Sequence, residues 1–108
     1  TPQTPNAFKF EQFIFDILPH ARQWLLMETP RADEFAPLKN AEGPDSPLTV
    51  QQAMVALHRR WLLQAGVPVQ DWPVEISPLF ALSAEEVRQR IPPGFRLTGP
   101  TYLREDTK

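Results

Sequence analysis

The sequence contains no cysteine, which excludes disulfide bridges, thiolate metal sites and a cysteine nucleophile. It has only four glycines in 108 residues, too few for a glycine-rich phosphate cradle of the Walker or dinucleotide type. No apolar run reaches the roughly 18 residues of a membrane-spanning helix, so no membrane partner is expected. There is no basic excess either. Eleven Lys and Arg stand against thirteen Asp and Glu, for a net charge of −2, and without a basic block nucleic acid is not an expected partner. The first residues, TPQTPNAFKF, lack a charged-then-apolar leader pattern. A cytoplasmic location is the default expectation.

What the chain does have is 42% hydrophobic and 22% charged residues, the balance of one small domain with a real core. Proline is abundant. The 13 prolines are more than twice the usual share of about 5% and are spread along the chain, which implies short elements and stiff loops. Residues 1–5 read as a linker, and the chain as a piece of something longer.

Asn6 is a good helix cap, and Phe10, Ile14, Ile17 and Ala21 recur at helical spacing, predicting a first helix that Pro19 kinks or ends. Phe8 and Phe15 point to the opposite side at 100° per residue. A helix apolar on two faces is buried between layers or turns one face to a ligand or partner. The expectation is that Phe10, Ile14 and Ile17 are buried, that Phe15 is exposed, and that the Phe8/Phe15 face supports self-association. WLLME, residues 24–28, reads as a short buried strand, and residues 29–40 as a loop. GPDSP, residues 43–47, is a turn cluster.

A second helix is predicted from a Thr49/Gln52 capping box, with Val50, Ala53, Met54, Leu57 and Trp61 on one face and Gly66 as its stop. Beyond it, residues 74–76 and 79–81 read as strands. Ser83 and Glu86 form a capping box that opens a short helix to about Arg90, which Pro92, Pro93 and Gly94 end. Residues 95–97 and 101–103 read as strands joined by a Gly99-Pro100 turn. The class is α/β, or α+β taken as a fragment, with two main helices and a few short strands. Residues 1–66 and a small mixed unit over residues 67–108 are the expected divisions.

Few residues carry chemistry. His20 and His58 have no partner at metal-ligand spacing, so no metal site is expected. Ser46, Ser77 and Ser83 sit in turns or caps, and Glu86 serves as a cap partner. No catalytic residue is expected in this stretch. Lys39 stands out despite the general rule that lysines lie on the surface. Phe35, Pro37 and Leu38 anchor its loop. An aromatic wall of Phe8, Phe10, Phe13, Phe15 and Trp24 followed by one positioned cation suits a ligand with an apolar group and a phosphate.

These same pieces, NAFKFEQFIFDIL, an apolar strand, then ADEFAPLKN, resemble the eukaryotic-type UDP-N-acetylhexosamine pyrophosphorylases. LTVQQAMVALHRRWLLQAG and VEISPLFAL resemble later segments of that family, so the likeness covers about residues 6–82. It implies the C-terminal part of a nucleotide-diphospho-sugar transferase-like fold, with residues 1–66 on the sugar side of the catalytic domain. It implies a uridylyltransferase that takes UTP and N-acetylglucosamine 1-phosphate, with Mg²⁺, and releases pyrophosphate. Positions matching Phe13 and Phe15 line the N-acetyl sugar pocket in that family, and the position matching Lys39 contacts phosphate. The family's glycine-rich loop lies in an N-terminal catalytic domain that this sequence does not contain, so these residues alone are expected to be inactive. A UDP-glucose or UDP-sugar pyrophosphorylase of the same superfamily, and a stand-alone interaction module, are the alternative readings.

Overall fold

Proline placement decides where the longest helix begins. The computed structural model describes residues 3–107, and in it helix α2 spans Pro47–Gln64. Pro47 occupies the first helical position, where its missing N–H is not needed. Ser46 is the cap, and its amide donates to Thr49 Oγ1 at 2.9 Å. The helix therefore starts ahead of the Thr49/Gln52 box read from the sequence, and Thr49 acts as the third helical residue instead. Its end is as expected. Gly66 takes φ +83°, its amide donates to the Leu63 carbonyl, and the Val67 amide donates to the Leu62 carbonyl. This is the Schellman stop, which a left-handed glycine makes cheap.

Strands β1 (Val74–Ile76) and β2 (Thr101–Leu103) pair in parallel, with Val74 opposite Thr101 and Ile76 opposite Leu103. A parallel pair needs a crossover, and helix α3 (Ala84–Arg90) supplies it. Its Ser83 cap is the one expected: Ser83 Oγ accepts from the Glu86 amide at 3.2 Å, and Glu86 Oε2 accepts from the Leu82 amide at 2.8 Å. Two expected strands are absent. Residues 79–81 form a turn that buries Phe80 and Ala81, whose amides both donate to the Ser77 carbonyl. Pro78 has no N–H for a ladder, so the chain turns directly after β1. Residues 95–97 are irregular and do not pair with β2, whose partner is β1.

The core lies where α2, α3 and the two strands meet. Leu62, Val74, Val87 and Leu103 are fully buried, with Ile76, Phe80, Ala81, Val67 and Leu97 around them. It draws on residues on both sides of residue 66.

The N-terminal arm differs most from the sequence reading. No helix starts at Asn6. Among the arm's described residues the helical piece is a 3-10 helix, Ile14–His20, with Pro19 inside it. Phe10, Ile14 and Ile17 are 93%, 78% and 64% exposed, which overturns their expected burial. Phe15 is exposed, as expected. Residues 24–28 are irregular and unpaired, so the WLLME strand is also missing. One physical cause covers these differences. An isolated helix gains most of its stability from packing its apolar face, and a strand from a neighbour on the ladder. The described residues provide neither. The radius of gyration, 19.4 Å, exceeds the roughly 13 Å of a compact chain of this length, so the arm stands away from the core. Of the linker expected over residues 1–5, the first two residues lie outside the described range.

Candidate functional site

Lys39 sits on a loop whose backbone closes on itself. The amides of Lys39 and Asn40 both donate to the Asp45 carbonyl, at 2.8 and 3.0 Å. Asn40 Nδ2 donates to the Pro44 carbonyl at 2.7 Å. Asp45 adopts φ +55°, and among the described residues no other non-glycine has positive φ. Aspartate tolerates this left-handed region better than most residues, and it turns the Asp45 carbonyl back onto the loop. Ser46 follows, buried, as the cap of α2. The lysine backbone is thus fixed to the start of a long helix, while its side chain is exposed.

The chain ahead of this loop is tied to the same helix. Helix α1, Arg31–Glu34, forms where the sequence suggested only loop. The Asp33 carboxylate pairs with Arg60 on α2, and the Arg31 guanidinium lies 4.2 Å over the Phe35 ring. An exposed ion pair is worth little alone. Here it acts with the packing of α1 on α2, and together they tie residues 31–34 to that helix.

Beneath the loop, Leu38 forms one wall of an open groove of about 900 Å³. Leu48, Val50 and Met54 of α2 and Thr101 and Tyr102 of β2 form much of the rest, and His58 lies at its floor. The structure does not bring the three sequence-chosen residues together. Phe13 and Phe15 are on the arm, 61% and 68% exposed, and neither lines the groove. The 3-10 helix that carries Phe15 packs against no other described helix or strand. Phe13 has an extended backbone just outside that helix, so the two rings are not fixed at the wide angle of a regular α-helix.

His58 is a structural histidine whose partner the sequence does not give. It is buried, its Nδ1 accepts from the Ile76 amide at 3.2 Å, and its ring lies 5.5 Å from that of Trp61. It therefore latches α2 to β1. The available signal was its position four residues after Met54, on the same helical face. Burial pushes its pKa below the ordinary imidazole value, against opposing pulls from the Val74 backbone and the Glu75 charge. The unfolded chain thus binds more protons than the folded one between the two values. This stabilisation is complete above about 6.5 and is lost as pH falls below it. We predict a melting temperature that drops from pH 7 to 5, with the drop reduced in His58→Phe. That variant should also cost about 1–3 kcal/mol by leaving the Ile76 amide unpaired. An unchanged pH profile in His58→Phe would remove His58 as the cause.

Among the described residues no group of three or more His, Asp or Glu side chains is placed to hold a metal ion. These residues do not fit Mg²⁺ as a protein-held ion.

The fold and loop define an α+β segment that displays one backbone-clamped lysine beside an apolar groove. The chain matches no family profile. Over 97% of its length it is 36% identical to human UDP-N-acetylhexosamine pyrophosphorylase-like protein 1. Over 75% it is 41% identical to UDP-N-acetylglucosamine diphosphorylase 2 of Arabidopsis thaliana, and over 82% it is 38% identical to UDP-N-acetylglucosamine pyrophosphorylase of Saccharomyces cerevisiae. The chain belongs to the UDP-N-acetylhexosamine pyrophosphorylase family. It spans 25%, 18% and 20% of the length of these three relatives.

Proposed function

We propose that this chain is the C-terminal, sugar-side part of a uridylyltransferase that makes UDP-N-acetylglucosamine and pyrophosphate from UTP and N-acetylglucosamine 1-phosphate. The supporting observation is the closed loop: two consecutive amides on one carbonyl fix the backbone of Lys39 while its ammonium stays free to meet a phosphate. In this reading a phosphate oxygen of the sugar phosphate attacks the α-phosphorus of UTP. The new P–O bond forms as the bond to the β-phosphate breaks, and pyrophosphate leaves. Such chemistry depends on positioning and on neutralising phosphate charge. Lys39 supplies one such charge, and Phe13 and Phe15 supply apolar contact to the N-acetyl sugar. The complete enzyme supplies the UTP site, its Mg²⁺ and the rest of the catalytic domain. The arm is uncovered here because that domain is its partner layer.

The purified 108-residue chain should therefore release no pyrophosphate from UTP and N-acetylglucosamine 1-phosphate in a coupled assay. Clear turnover by this chain alone would show that the reading has misplaced the catalytic machinery.

A further inference from the structure

Three hydrogen bonds close the loop that carries Lys39, and the Asp45 carbonyl accepts two of them, from the Lys39 and Asn40 amides. The third runs from Asn40 Nδ2 to the adjoining Pro44 carbonyl at 2.7 Å. The chain on the far side of Asp45 is constrained. Pro47 opens α2 and favours an extended Ser46, which sits at φ −103° and ψ 169°, buried as the helix cap. The left-handed conformation of Asp45, φ +55°, therefore sets where its carbonyl points. Its carboxylate does none of this. Among the described residues the Asp45 side chain joins no ion pair, and its part in the clamp is wholly backbone. Asn40 is the opposite case, since its side-chain amide is what ties the turn.

We propose that Asp45 and Asn40 are positioning residues for Lys39, Asp45 through its left-handed backbone and not its charge, Asn40 through its side-chain amide. This rests on Lys39 being the phosphate contact. A lysine side chain is long and flexible, so it supplies reach, and its aim depends on where the backbone holds its root. Conformation and charge at Asp45 separate cleanly. Asp45→Val puts a β-branched side chain where φ must be positive, and the clamp opens. Asp45→Asn removes the charge and keeps a residue type that tolerates the left-handed region.

Steady-state kinetics of the complete enzyme, with each substrate varied in turn, test it. Asp45→Val should lower kcat/KM for N-acetylglucosamine 1-phosphate about 5- to 30-fold, the cost of a strained left-handed residue, with KM for UTP unchanged. Asp45→Asn should restore the wild-type value. Asn40→Ala should cost about 2- to 10-fold, the worth of one neutral hydrogen bond, and it replaces Asp45→Val if that variant loses helical circular dichroism. In a Lys39→Ala background neither change should add more than about twofold, because no ammonium remains to be aimed. Equal losses in Asp45→Asn and Asp45→Val would assign the effect to the carboxylate. Losses that multiply in full with that of Lys39→Ala would make Asp45 and Asn40 independent of the lysine. Either result would overturn the positioning role and leave Lys39 as the phosphate contact. A Lys39→Ala enzyme with wild-type kinetics would overturn that contact, and the positioning role with it.

Discussion

Lys39→Ala, made in the complete enzyme, should lower kcat/KM about 10- to 100-fold while leaving the fold unchanged. A charge-assisted contact to phosphate is worth roughly 1.5–3 kcal/mol, which sets that range. The fold should survive because the hydrogen bond that closes the loop comes from the Lys39 amide, which alanine retains. Lys39→Arg is not expected to restore full activity, since a planar fork and a compact ammonium reach a phosphate differently. Steady-state kinetics within about twofold of wild type would make Lys39 an ordinary surface lysine.

The second large effect is on stability. Leu62→Ala should destabilise the chain by about 2–5 kcal/mol. Leu62 is fully buried and belongs to the core that joins α2 to the strands and α3. Small domains have only roughly 5–15 kcal/mol in total, so the variant should melt far lower or fail to fold cooperatively. Its neighbour Leu63 is 57% exposed, and Leu63→Ala should stay within about ±0.5 kcal/mol. Urea unfolding of both variants checks the contrast. Equal effects would mean that α2 does not present the face described.

The parts of the fold legible in the sequence are those whose signals are local. Gly66 as a left-handed stop, Ser83 with Glu86 at the start of α3, and strands at residues 74–76 and 101–103 could all be read directly. At the start of α2, Ser46 and Thr49 offer similar capping patterns three residues apart, and Pro47 is the cue that decides between them. The turn at residues 79–81 reads as a strand because a short apolar run carries no period of its own. Phe10, Ile14 and Ile17 have helical spacing, yet spacing states only which face would be buried if a partner layer were present. The parallel pairing of β1 and β2 depends on contacts across some 27 residues, beyond any local pattern. At the candidate site, the loop that carries Lys39 was legible in the sequence. The clamp that fixes it was not, although Asp45 within GPDSP is a residue type suited to positive φ.

The most direct measurement of the central claim varies the two substrates separately in Lys39→Ala of the complete enzyme. If residues 6–40 form the sugar side of a uridylyltransferase site, KM for N-acetylglucosamine 1-phosphate rises or kcat falls, while KM for UTP stays at the wild-type value. A rise confined to UTP, with the sugar phosphate unaffected, would contradict the assignment.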